Sequence, residues 1–108
     1  MTNILSEKEQ IDFVRQGMAN IKEIKDPSEN VQLAAIRSNA FAIQCIKNPS
    51  EKIQLAAVRR RNGYAIQLIK NPSEKVQLAA VKQCGASIQH IEKPTEKVQI
   101  EAVKQSAH

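Results

Sequence analysis

Aromatic side chains are scarce: Phe13, Phe41 and Tyr64 are the only three in 108 residues. That leaves few stacking platforms for the bases of a single-stranded nucleic acid. Glycine stands at three isolated positions, Gly17, Gly63 and Gly85, so no glycine-rich loop is present to cradle a phosphate. Cysteine is limited to Cys45 and Cys84. Two do not make a disulfide scaffold, and reduced thiols in a cytoplasm are the simpler reading. No apolar run approaches the roughly 18–20 residues of a membrane span. Charges run throughout residues 1–25, without the apolar stretch of a signal peptide, so none is expected. Strict apolar–polar alternation between turns is also missing, which argues against strands. A chain this long buries roughly 65% of its unfolded surface, enough for one modest core.

What is present is repetition. Prolines fall at Pro27, Pro49, Pro72 and Pro94. Segments that begin one residue earlier read DPSENVQLAAIRSNAFAIQCIK (26–47), NPSEKIQLAAVRRRNGYAIQLIK (48–70), NPSEKVQLAAVKQCGASIQHIE (71–92) and KPTEKVQIEAVKQSAH (93–108). Residues 6–25 align without a gap under 73–92, which makes the first 25 residues a degenerate copy. One tandem-repeat domain over 1–108 is expected, with units 1–25, 26–47, 48–70 and 71–92 and a capping helix at 93–108.

Each unit divides into two helical halves. Asp26, Asn48 and Asn71 are candidate N-caps followed by proline, with Glu29, Glu51 and Glu74 completing capping boxes. Helices are predicted to start at or near Asp26, Asn48, Asn71 and Lys93. Apolar stripes follow: Val31, Leu33, Ala34, Ala35, Ile36, and their counterparts Ile53 to Val58 and Val76 to Val81. A turn comes next, clearest at Asn62-Gly63, and then a short second half with two isoleucines three apart. Such short helices are unstable alone and bury their stripes only against neighbours. The expected fold is all-α: a small α-solenoid of stacked helical hairpins, four two-helix units plus a terminal capping helix.

The phrase NPSEKVQLAAV, followed by NGYAIQ and IKNPSE, resembles a short repeat found in tandem in many bacterial and bacteriophage proteins and classed as a domain of unknown function. The likeness is strong over 26–103 and weak before it. It implies a phage or prophage setting, or a bacterial host, and a binding role. It carries no assigned chemistry and transfers no catalytic residue. This chain departs from the pattern in lacking a proline near Leu5, in an extra residue within 48–70, and in a truncated last unit.

Chemistry-bearing constellations are sparse. His90 and His108 have no partners at metal-ligand spacing, and Cys45 and Cys84 occupy different slots of the repeat. Glu29, Glu51, Glu74 and Glu96 recur in first turns, where capping and the helix dipole account for them. Gln32, Gln54, Gln77, Gln99 and Gln44, Gln67, Gln89 also recur, as a structural ladder or a peptide-binding one, with the structural use favoured. No catalytic residue, cofactor or metal ion is expected, and the chain reads as a non-enzyme.

Charge is distributed unevenly. Residues 36–82 hold nine basic and two acidic side chains, against four and six in 1–35 and three of each in 83–108. Arg37, Arg59 and Lys82 close first helices, where a cation favours the dipole. Seven residues separate Val58 from Ile66, against six between Ile36 and Ile43 or Val81 and Ile88. The extra one creates Arg59-Arg60-Arg61-Asn62-Gly63-Tyr64, and insertions in repeats commonly map to a binding face. The expected function is a protein-binding module using Arg59, Arg60, Arg61, Asn62, Tyr64, Arg37 and Lys82 against an acidic protein surface. Its setting suits a small phage or prophage inhibitor or modulator of a host or defence protein. The alternative is nucleic-acid binding by the basic middle section. No membrane is involved in either reading. Asp12 and Glu101 replace the slot of Ala34, Ala56 and Ala79 at the two ends, which predicts a monomer or weak homodimer.

Overall fold

In the computed structural model, residues 5–106 are described, and the side chains of all of these except 61–63. Every regular element among them is helical. Five α-helices, α1 (Glu7–Arg15), α2 (Glu29–Ser38), α3 (Glu51–Val58), α4 (Glu74–Gln83) and α5 (Glu96–Ser106), alternate with 3₁₀ helices. The latter are Met18–Glu23, Ala40–Cys45, Arg61–Leu68 and Gly85–His90. Each α-helix contacts the next, and so does each 3₁₀ helix, which gives two adjacent rows. The molecule measures 50 × 23 × 16 Å, with a radius of gyration of 15.0 Å. A compact chain of this length would be nearer 13 Å, so the rows extend the molecule along one axis.

The α-helices start later than the sequence reading expects. Ser6, Ser28, Ser50 and Ser73 are the N-caps, with extended backbone. The hydroxyls of Ser28, Ser50 and Ser73 accept from the N–H of Val31, Ile53 and Val76, each at 3.3 Å. Thr95 does the same for Val98. Asp26, Asn48 and Asn71 lie outside the helices at φ 51°, 52° and 52°. That left-handed region suits Asn and Asp better than most residues, and it turns the chain from one row to the other. Proline therefore precedes the cap, and its carbonyl is used. The Nε2 of Gln32, Gln54, Gln77 and Gln99 donates to the carbonyl of Pro27, Pro49, Pro72 and Pro94 at 2.9–3.1 Å. Gln10 makes the same bond to Leu5, where proline is missing. These Nε2 bonds are structural and stay within a segment.

The glutamates stand at the first helical position, one residue after the cap. Among the described residues, only Glu9, in α1, closes a capping box, with Ser6. Glu7, Glu29 and Glu51 each accept from the hydroxyl of the next helix's cap, Ser28, Ser50 and Ser73, at 2.6, 3.1 and 2.6 Å. One serine hydroxyl thus caps its own helix and ties it to its predecessor.

The core runs where the rows meet. Ile36, Val58 and Val81 on the α side are fully buried, as are Ile66 and Ile21 on the 3₁₀ side. Ile43 and Ile66 inside the 3₁₀ helices are buried, and so are Ile46 and Ile69, the extended residues that follow those helices. Asp12 is exposed, and Glu101 is half-buried and accepts from Gln105 at 2.8 Å. The slot they occupy is buried at Ala34 and half-buried at Ala56 and Ala79. Apolar surface instead stays open at Ile100 and Val103 of α5.

Candidate interaction surface

The extra residue of segment 48–70 is absorbed by shortening one helix and lengthening the other. α3 stops at Val58, whereas α2 and α4 run two residues past the equivalent Ile36 and Val81. Arg59 is the C-cap, its N–H donating to the Leu55 carbonyl at 3.1 Å. Arg60 follows in extended conformation (φ −103°, ψ 148°) and leads into the eight-residue Arg61–Leu68 helix. The Asn62-Gly63 pair expected to form a turn lies inside that helix.

This geometry sends the two arginines into different clefts. Arg60 lines a cavity of about 180 Å³ with Ser38, Asn39, Phe41, Tyr64 and Ala65. Arg60 is half-buried, and its Nε is buried with no hydrogen-bond partner among the described residues. Asn39 shapes the opposite wall by accepting from the Phe41 N–H at 2.9 Å. Arg59 lines a cavity of about 290 Å³ on the other side, with Lys75, Leu78, Ala79, Lys82 and Gln83. Arg37 is exposed at the end of α2, next to Ser38 on the wall of the first cleft. The side chains of Arg61 and Asn62 lie outside the described residues.

Phe41 is a contributor that charge-based reading passes over. It is 39% exposed and Tyr64 is 50% exposed, and they are the exposed aromatic rings among the described residues. Both stand two residues before the first isoleucine of a 3₁₀ helix, a slot held by Ala19 and Ala86 in the other segments. The recurrence of an aromatic at that slot, in the two central segments alone, is the signal that identifies it. Tyr64 also leans on His90 of the next 3₁₀ helix, ring centroids 6.0 Å apart at 59°.

The two clefts offer recognition groups: two aromatic faces, a half-buried guanidinium, and a second basic cluster of Arg59, Lys75 and Lys82. Among the described residues, no three His, Cys, Asp or Glu side chains converge as a metal site requires. Cys45 and Cys84 are both free thiols. No described helix is long and apolar enough to cross a membrane. No protein-family model, curated protein or solved structure matches this chain.

Proposed function

We propose that the chain is a non-catalytic protein-binding module, a short α-solenoid of four hairpins and a closing helix. On this reading its basic central section, Arg59, Arg60, Arg61, Asn62, Tyr64, Arg37 and Lys82, docks on an acidic protein surface that reaches both clefts. The observation that carries the proposal is the cleft formed by Phe41, Arg60 and Tyr64. Aromatic and arginine side chains are the usual anchors of protein interfaces, and two exposed rings around a half-buried arginine have that composition. The resemblance to tandem repeats of bacteriophage and bacterial proteins adds the setting: a cytoplasmic protein that binds and inhibits or modulates a host or defence protein. The test is affinity capture from nuclease-treated bacterial lysate with the parent chain and with an Arg59→Glu, Tyr64→Ala variant. Both positions are exposed, so the variant keeps its fold. A partner retained by the parent and lost by the variant supports the reading. A partner retained equally by both places binding elsewhere.

A second reading has its own support in the cluster of Arg59, Lys75 and Lys82, which is cationic enough to meet a phosphate backbone. Duplex DNA binding whose affinity falls steeply with salt would favour it.

A further inference from the structure

A second surface lies at the other end of the 3₁₀ helices, where the chain crosses back to the next α-helix. Three cavities there, of about 560, 420 and 510 Å³, share walls. The first and second have Ile46 and Asn48 in common, and the second and third Ile69 and Lys70. They form one groove along the long axis. Its floor is isoleucine and proline, and its walls are amides and lysines in register. Lys22, Lys47, Lys70 and Lys93 line it against two carboxylates, Asp26 and Glu92.

The amides are set for a main chain. Gln32, Gln54 and Gln77 each line one cavity, and each has its Nε2 committed to a prolyl carbonyl. That bond fixes the amide plane and reserves Oε1 as an acceptor for an incoming N–H. Gln77 differs from the other two: it is 9% exposed, and its Oε1 is buried without a partner among the described residues and closed to the groove. Exposed Gln44 and Gln67 supply both donors and acceptors along the same groove.

We infer that this groove binds an extended acidic peptide, its backbone held by the glutamine amides and its carboxylates by Lys22, Lys47, Lys70 and Lys93. A ten-residue strand reaches about 33 Å, which fits within the 50 Å length of the molecule. A nucleic acid suits the groove less well, because Phe13, Phe41 and Tyr64 all lie outside it. The surface differs from the Phe41, Arg60 and Tyr64 cleft, so either can fail without the other.

The probe is a fluorescent ten-residue peptide of alternating Glu and Ala, with its Lys–Ala counterpart and a ten-nucleotide oligothymidylate as competitors. Fluorescence anisotropy should give saturable binding of the Glu peptide and none of the Lys peptide. Lys47→Glu with Lys70→Glu should weaken binding at least about tenfold while the helical melting curve stays in place. Lys47→Gln with Lys70→Gln should fall between. Cys45 lines the groove and Cys84 does not, so bound peptide should slow iodoacetamide alkylation of Cys45 alone. Absent binding, equal binding by the Glu variant, or unprotected Cys45 would overturn the inference. Tighter binding of oligothymidylate at the same lysines would replace it with a nucleic-acid groove.

Discussion

Ser73 Oγ lies 2.6 Å from Glu51 Oε2 and donates to it, while accepting at 3.3 Å from the Val76 N–H. A single hydroxyl therefore terminates α4 and links it to α3, which starts 23 residues earlier. Ser73→Ala should cost about 1–2 kcal/mol, the range of a lost N-cap. Glu51→Ala should cost less. Urea denaturation of both single variants and the double variant should give a coupling of at least about 0.5 kcal/mol. Strict additivity would mean that the Ser73–Glu51 contact contributes nothing beyond the cap.

Asn71 makes a contrasting case. It sits at φ 52°, outside the helix it was expected to cap. Asn71→Ala should be destabilising by about 1 kcal/mol, because Cβ crowds the carbonyl in the left-handed region. Asn71→Gly should be close to neutral. If Ala and Gly were equally damaging, side-chain capping rather than backbone conformation would be the role of Asn71.

The helix starts were legible, though from a different residue. Ser6 and Glu7 persist in the first copy, where Leu5 replaces proline, so the helix requires the serine and not the proline. Reading that contrast would have placed the caps correctly. The buried stripes follow the spacing of Val31, Ile36, Val58 and Val81 closely, because burial between rows repeats with the sequence. Two features resisted. The 3₁₀ form of the second halves depends on packing a short segment between an extended residue (Gly17, Asn39, Arg60 or Cys84) and the crossing to the next α-helix, which no propensity reports. The Arg60 cleft depends on α3 ending early, so the inserted residue sends neighbouring arginines to opposite sides.

Gly85 is closely confined. A Cβ there would meet the Ala102 carbonyl oxygen at 3.0 Å and Gln105 Cβ at 3.1 Å, both on α5. Gly85→Ala should push α5 away and cost about 1–3 kcal/mol. Gly17 is the control: its φ is −172°, open to any residue, and a Cβ would touch only Asn20 at 3.5 Å. Gly17→Ala should be neutral or stabilising. Thermal melts of the two variants, read by circular dichroism, should move apart.

Acid should loosen the start of α1 in a defined way. Glu9 accepts from the Ser6 N–H at 2.9 Å, and that bond chiefly holds its carboxyl below the usual glutamate value. The lowered value means that the contribution is complete above the ordinary glutamate range and is lost as pH falls through the folded value. An NMR titration of the Glu9 carboxyl should give a depressed midpoint that rises only in part in Ser6→Gly, which retains the backbone donor, the larger cause, and loses the hydroxyl. An unchanged midpoint would assign the whole effect to the backbone N–H.

The same slot of the repeat should carry different weight at different points along the chain. Val81 is fully buried, and α4 is flanked by 3₁₀ helices 61–68 and 85–90. Val103 holds the equivalent position on α5, which packs on α4 and on a single 3₁₀ helix, 85–90, and it is 68% exposed. Burial of each methylene contributes about 0.8 kcal/mol, so Val81→Ala should cost about 2 kcal/mol. Val103→Ala should stay within about 0.5 kcal/mol of the parent, as exposed substitutions do. Residue type and local sequence are nearly identical at the two sites, VQLAAV against VQIEAV. The difference therefore measures what the following 3₁₀ helix contributes to the core. Equal losses in chemical denaturation would mean that Val103 is covered in solution, by a second copy of the chain or by another surface. Dilution would then separate these cases, since only self-association makes the Val103 penalty depend on protein concentration.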